Sequence, residues 1–427
     1  MTKLFFPAQQ TPLVIALTNA VVIRWLMYQF KITLKVDPAE VAKLKALKGD
    51  RTILFVNHPT FHEPVVMYSL STHVGYPFHY MTAVEQFQGI VGRFFQLIGA
   101  YSVRRGLSDR ASIKHTLDLL RRPHTHLVVF PEGGCTFQND TVMPFRSGAI
   151  QLAFKALMGE QTTPASRPLY VVPIAIKYRY PQTLWPALDN LMARLEIELN
   201  LPPGPIQDRY GRLRAIAAAV LTRIEADYPT EEQREEMPPL GLDTNWNERI
   251  EELRLRVLNA CETALDIRTP DNAPIRERTY QLANALATLR ARQETHPNLA
   301  HSQLSISILE KSIQRLFNFD ALCDGYVAAA PTSERFLDTL NRLEREVFNI
   351  DQPPVKGPRQ AWVKIGDPIC LNDWLTAYQD RDPDFRVTHP RHDARTAVIE
   401  EVTAQLERQV QAQLDALAKH SSGGIAD

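Results

Sequence analysis

The stretch "TILFVNHPTFHEP", Thr52 to Pro64, runs from an unbroken apolar segment into a turn that holds two histidines and a glutamate. Five consecutive residues without polar alternation, Thr52 to Val56, read as a short strand buried on both faces, as in a parallel sheet. Pro64 suits the first turn of a helix, which makes Glu63 the N-cap residue or its near neighbour. Strand, loop and helix therefore follow one another here. His58 falls at the carboxyl end of the strand, the edge at which open α/β sheets bind ligands. Pro59 keeps His58 out of helical backbone geometry. His58 and Glu63 thus face each other across a tight loop; on one continuous helix, residues five apart would point about 140° apart.

A histidine beside a carboxylate is the pattern of a general base with an orienting partner. No serine or cysteine nucleophile is evident next to the pair, so the base is expected to act on a substrate hydroxyl. Two other readings of the stretch stay open. A histidine at a strand end can be satisfied by local hydrogen bonds alone. His58 and His62, four apart, also have the spacing of metal ligands, although the zinc-protease pattern needs glutamate directly after the first histidine, where this chain has Pro59.

Working outward, further apolar runs of the same kind are His126 to Phe130 and Leu169 to Ile176, with helical patterns between them at Ala111 to Leu120 and Ser147 to Leu157. Strands alternating with helices predict an α/β fold, a largely parallel sheet flanked by helices. From 205 to 352 the period becomes helical throughout: Ile250, Leu253, Val257, Leu258, Cys261 and Leu265 share one face, as do Phe336, Leu337, Leu340, Leu343, Val347 and Phe348. "AWVKIGDPICL" (Ala361 to Leu371) returns to strand and turn, and a long amphipathic helix follows from about Asp393 to Lys419. The expected organisation is an apolar N-terminal helix (1–30), an α/β domain (31–204), an all-helical insertion (205–352), a return to the α/β domain (353–420) and a disordered tail (421–427).

The bulk numbers narrow the class. The 427 residues carry 48 basic and 48 acidic side chains, a balance without the basic excess that nucleic-acid binding needs. Four cysteines without paired spacing suggest neither a zinc ribbon nor a disulfide framework. Charge is uneven, however: Met1 to Thr60 holds eight Lys and Arg against three Asp and Glu. That basic segment flanks "TPLVIALTNAVVIRWLMYQF" (Thr11 to Phe30), which is long enough to cross a bilayer but carries Arg24. An amphipathic helix tolerates such an arginine better than a span does, and basic flanks suit an anionic surface, so a helix lying in the membrane interface is expected.

Other stretches add binding chemistry. "GAYSVRRG" (Gly99 to Gly106) pairs Arg104 and Arg105, and guanidinium groups hold phosphate well. "VVFPEGGCTF" (Val128 to Phe137) sets Glu132, Gly133 and a second glycine at a strand end, where backbone can approach a ligand closely. "PFRSGAI" (Pro144 to Ile150) presents Arg146 just before a helix start. "NHPTFHEP", "GAYSVRRG", "FPEGG" and "VVPIAI", in this order and spacing, resemble the four sequence blocks of the glycerophospholipid acyltransferases, most of all the 1-acylglycerol-3-phosphate acyltransferase branch. The likeness spans roughly Arg51 to Tyr178.

The resemblance implies direct transfer of a fatty acyl group from a thioester on coenzyme A or acyl carrier protein to the hydroxyl of a lysophospholipid. It implies no acyl-enzyme, no metal and no bound cofactor, and it places the reaction at the cytoplasmic face of a membrane. By resemblance His58 is the base and Glu63 its partner, while Arg104 or Arg105, with Glu132, Gly133 and Arg146, position the acceptor; Pro173 in the fourth block is structural. Two positions depart from the family pattern: Glu63 stands where Asp is usual, and Cys135 where Thr is common, with Thr136 a candidate replacement. Two rival readings use the same residues. One is a membrane-associated binding or scaffold protein that acts through the helical insertion; the other is a thioester hydrolase with water as acceptor.

Overall fold

A computed structural model of the chain describes residues 5–159, 167–229, 245–270, 273–295, 303–320, 322–379 and 394–419. The expected tail at 421–427 lies outside them. Two compact units emerge: one comprises Met1–Arg104, Ser108–Pro181 and Pro358–Asp427, the other Arg105–Leu107 and Gln182–Gly357.

The first unit is built on an eight-stranded sheet. Its strands are β1 (Ile32–Val36), β2 (Arg51–Val56), β3 (His79–Ala83), β4 (Ala100–Val103), β5 (His126–Val129), β6 (Leu169–Arg179), β7 (Arg359–Ile365) and β8 (Ile369–Cys370). They lie in the order β1-β7-β6-β2-β5-β3-β4, with β8 paired to β6. The β2, β3, β4, β5 and β6 pairings are parallel, whereas β7 and β8 run antiparallel to β6 and β1 runs with β7.

The apolar run at Thr52 to Val56 becomes the central strand because both of its faces are covered. Leu54 and Val56 join a core with Val66, Met67 and Leu70 on one side of the sheet. Ile53 and Phe55 join another with Ile150, Phe154, Val402, Leu406 and Val410 on the other. The period of two thus persists inside a strand buried throughout, but it separates two cores instead of core from solvent. Pro173 sits well inside β6, where proline is uncommon. It falls between the residues that pair β8 (Tyr170, Val171) and those that pair β7 (Ile174 onward), the place where a missing donor costs least.

Near the N-terminus, Pro12–Gln29 is helical, with one π-type turn at Thr18–Val22, and is long and apolar enough to cross a bilayer. Thr18 and Ile23 are buried. Leu13, Leu17, Val21, Trp25 and Tyr28, spaced four and finally three apart, form one stripe left 58–82% exposed.

The second unit is helical. Its helices include Trp185–Glu198, Arg209–Asp227, Trp246–Leu265, Ile275–Thr295, Gln303–Phe319 and Ser333–Phe348. Ile250, Leu253, Val257, Leu258 and Cys261 are buried as their spacing implies, as are Phe336, Leu337, Leu340 and Leu343. The unit reaches beyond 205–352, to 182 and 357. Helix Trp185–Glu198 packs on Arg209–Asp227 and Ser333–Phe348 through Leu188, Leu191 and Leu195, and Glu196 makes a two-point pair with Arg212 at 2.8 and 2.9 Å.

Candidate active site

The site forms where two neighbouring strands end. β2 passes through Asn57 into the loop 58–62, and helix α4 (Glu63–Val74) begins at Glu63, with His62 as its N-cap and Pro64 in the first turn. Asn57 fixes the start of the loop. It is buried, accepts from Ile176 N at 2.7 Å and donates to the Ile176 carbonyl at 3.0 Å.

His58 Nδ1 lies 2.6 Å from Glu63 Oε2. The Glu63 carboxylate is fully buried and has four donors: His58 Nδ1 and Thr60 N (3.0 Å) on one oxygen, Thr60 Oγ1 (2.6 Å) and Tyr178 OH (2.8 Å) on the other. Burial alone would raise this acid; the His58 hydrogen bond and charge, then the two hydroxyls, outweigh it and hold it down at about 2. Glu63 therefore stays ionised, and its bond to Nδ1 leaves Nε2 as the nitrogen turned to the chemistry.

The loop after β5 completes the site. Thr136 N donates to the His58 carbonyl at 2.9 Å, and His58 N donates to Glu132 Oε1 at 2.6 Å. The other oxygen of Glu132 accepts from Met143 N at 2.9 Å, so this buried carboxylate braces two backbone segments. Phe130 stacks on the His58 ring at 4.4 Å.

The same loop corrects the expectation that no nucleophile stands near His58. Cys135 Sγ is 3.4 Å from His58 Nε2 and 3.9 Å from Nδ1, and it donates to the Thr60 carbonyl at 2.9 Å. Burial tends to lower the His58 pKa, but charge and hydrogen bonding at Cys135, followed by those of Glu63, drive it up to about 10.

The remaining expected residues fall as follows. Gly133 has φ +80°, and a Cβ there would meet Arg146 Nε at 2.7 Å, so the guanidinium packs against bare backbone. Arg146 N bonds the Pro131 carbonyl at 2.9 Å, which ties the two loops. Arg104 bonds Asp109 Oδ2 through both its N (3.1 Å) and Nε (3.4 Å). Arg105 belongs to the helical unit, donating to Tyr280 OH at 2.9 Å with its guanidinium 4.4 Å over that ring. The paired arginines of the motif thus divide between the two units. Thr136 turns its hydroxyl toward the His58 carbonyl, 3.4 Å away.

His62 packs edge-on against Phe30 at 4.5 Å, and burial, then the Arg359 charge, lower its pKa to about 4. Among the described residues no three His, Cys, Asp or Glu side chains gather in a way that could hold a metal ion.

Residues 38–177 match the sequence model of the acyltransferase family. The chain carries an acyltransferase domain. No curated protein matches the chain significantly. The matched segment runs from α3 (Pro38–Ala46), capped by Asp37, to within two residues of the end of β6. It therefore contains His58, Glu63, Glu132, Gly133, Cys135 and Arg146, and the domain's general activity is acyl transfer between a donor and an acceptor.

Three contributors escaped the sequence reading. Tyr178 lies on β6, which is parallel to β2 and runs past its end, and that is how its hydroxyl reaches Glu63. Arg359 stands at the start of β7, after the helical unit, with its guanidinium 4.6 Å over the Tyr178 ring. Its Nε and Nη2 are buried and find no hydrogen-bond partner among the described residues. The third is Cys135, for which the departure from threonine was the only signal.

Proposed function

We propose that the acyltransferase domain moves a fatty acyl group from an acyl thioester, on coenzyme A or acyl carrier protein, to the free hydroxyl of a lysophospholipid such as 1-acylglycerol-3-phosphate. The observation that carries the reading is the buried pair at the end of the central strand, His58 Nδ1 on Glu63 Oε2 at 2.6 Å. A neutral His58 takes the acceptor's hydroxyl proton at Nε2, and the oxygen attacks the acyl carbonyl. Glu63 holds the tautomer and stabilises the imidazolium that forms. Glu132 acts through His58 as a positioning residue. Arg146, seated on Gly133, and Arg104 are the ligands we assign to the acceptor phosphate.

The exposed stripe on Pro12–Gln29 supports action at a membrane surface. Thr18 and Ile23 are buried against the domain, which suits a helix lying along the interface better than one leaving the domain to cross the bilayer. The eight basic residues of the first sixty suit the anionic cytoplasmic leaflet.

The test is acyl transfer by purified protein to lysophosphatidate, with acyl-coenzyme A and acyl carrier protein donors in parallel, beside His58→Ala. Transfer that depends on His58 is the expected result. Equal turnover by a folded His58→Ala protein would remove His58 as base, and fatty acid release without any lysolipid would favour the hydrolase.

A further inference from the structure

The carboxyl-terminal end of β6 carries a row of contacts that leads into the His58–Glu63 pair from behind. Tyr178 is fixed there by Asn139, which accepts from Tyr178 N and donates to the Tyr178 carbonyl, both at 2.8 Å. The Tyr178 ring is buried, and its hydroxyl donates to Glu63 Oε1 at 2.8 Å. On the antiparallel neighbour β7, Tyr178 pairs with Ala361, so Arg359, two residues earlier, shares its face of the sheet. The Arg359 guanidinium lies 4.6 Å over the Tyr178 ring. It is 5% exposed, and its Nε and Nη2 have no hydrogen-bond partner among the described residues. Burial of such a cation is unfavourable, and an apolar side chain of similar length would fill the place without that penalty. The contact that offsets it is the face of the Tyr178 ring.

We propose that Tyr178 and Arg359 are positioning residues of the general base: the Arg359 cation makes the Tyr178 hydroxyl a stronger donor to Glu63, and Glu63, so loaded, orients His58 through Nδ1 while leaving its imidazolium ready to release the proton. The premise is His58 as base, the role assigned above. A cation against the ring face draws electron density from the phenol oxygen, and each hydrogen bond in a row polarises the next. Tyr178 itself stays protonated, because burial and then the Glu63 charge push its pKa well above the ordinary 10, so its O–H donates to the carboxylate. A carboxylate that accepts from this hydroxyl, and from Thr60 Oγ1 and Thr60 N, has less charge left for His58. Without the phenol oxygen that charge concentrates on the bond to Nδ1, the imidazolium is favoured, and His58 stays protonated to higher pH.

The other titratable groups around this row are Cys135 beside the His58 ring, Glu132 on His58 N, and His62, whose pKa is lowered to about 4 by burial and then by the Arg359 charge. His62 therefore reports on that charge directly, whereas His58 receives it through Tyr178 and Glu63. The phenol oxygen is the single crossing point between Arg359 and the pair. With Phe at position 178 the ring and its cation remain, and the link to Glu63 is gone.

The experiment titrates full-length protein with ring-labelled histidine by NMR, with His58→Ala and His62→Ala assigning the two signals. In parallel, kcat is measured against pH with acyl-coenzyme A and lysophosphatidate, and thermal melting checks the fold. Tyr178→Phe and Arg359→Met should each move the His58 titration toward alkali. Each should lower kcat at pH 7 about 10-fold, with the loss recovered as pH rises, which a merely structural defect would not show. Arg359→Met should also raise the His62 titration, while Arg359→Lys, which keeps the charge, should stay closer to wild type in both signals. The double variant should match Tyr178→Phe alone. An unmoved His58 titration in folded Tyr178→Phe, or an Arg359→Met shift that persists in full beside Tyr178→Phe, overturns the proposal and leaves His58 as base. Normal turnover by folded His58→Ala overturns the base reading instead. The titration needs no substrate, so it decides the link from Arg359 to His58 even if the acceptor is a different lipid.

Discussion

Replacing Glu63 by Gln separates the charge of the buried carboxylate from its hydrogen bonds. All four of its partners are donors in the wild type. A glutamine offers one oxygen and one NH2 group. The Thr60 and Tyr178 hydroxyls can rotate to accept, whereas Thr60 N–H cannot. The amide oxygen should therefore take the Oε2 position facing His58 and Thr60 N, with the NH2 group meeting the two hydroxyls. Hydrogen bonding survives in number, and only the difference between charged and neutral acceptors is lost, about 1–3 kcal/mol of stability. Catalysis should suffer more. With the carboxylate gone, burial is opposed by one neighbour fewer and the His58 pKa falls from its raised position. The loss expected in kcat is about 10²–10⁴-fold, or about 3–5 kcal/mol of transition-state stabilisation. The assay measures kcat and KM against pH for wild type and Glu63→Gln, with thermal melting as the control for folding. The expected outcome is a kcat effect, little change in KM, and an inflection assigned to His58 displaced toward acid. A folded variant with wild-type kcat, or an unmoved inflection, would refute the role given to Glu63.

The same pair makes stability depend on pH in a defined window. Glu63 sits at about 2 against an ordinary 4.5, so its contribution is present above about pH 4.5 and lost as pH falls toward 2; His58 sits at about 10 against 6.5, so its contribution is complete below 6.5 and lost as pH rises through 10. The difference in melting temperature between wild type and His58→Ala should therefore be largest between pH 4.5 and 6.5, and a flat difference from pH 3 to 10 would count against it. Gly133→Ala places a Cβ 2.7 Å from Arg146 Nε at φ +80°, which should cost about 1–3 kcal/mol of stability and raise KM for a phosphorylated acceptor more than for an acyl donor. On the exposed helix stripe, Leu17→Glu with Val21→Glu should weaken sedimentation with anionic vesicles while leaving turnover of a short-chain, water-soluble acceptor unchanged; equal vesicle binding would remove the stripe as a membrane contact.

What the sequence disclosed and what it withheld divide along one physical line. Local grammar was readable: the unbroken apolar run became the central strand, Pro64 fell in the first turn of α4, and Pro59 separated His58 from that helix. His58 and Glu63 are five residues apart, so a single loop brings them together. Contacts that depend on strand order were not readable. Arg359 lies about three hundred residues from His58 in the chain, yet it stands over Tyr178 because β7 lies against β6. The paired arginines illustrate the opposite failure. Adjacent in sequence, they divide between the two units, and adjacency alone gave no sign of it.

Cys135 shows why this distinction bears on the chemistry. In sequence it is a departure from threonine, one hydroxyl missing from an acceptor contact. In the fold, β2 and β5 are parallel neighbours, so their carboxyl ends lie side by side and the loops that leave them must pack together. Thr136 N on the His58 carbonyl and Glu132 on His58 N lock that packing, and Cys135, next to Thr136, lies with its sulfur 3.4 Å from His58 Nε2. The carboxylate that serves four donors keeps the imidazole in register, with Nδ1 bound and Nε2 left for the chemistry.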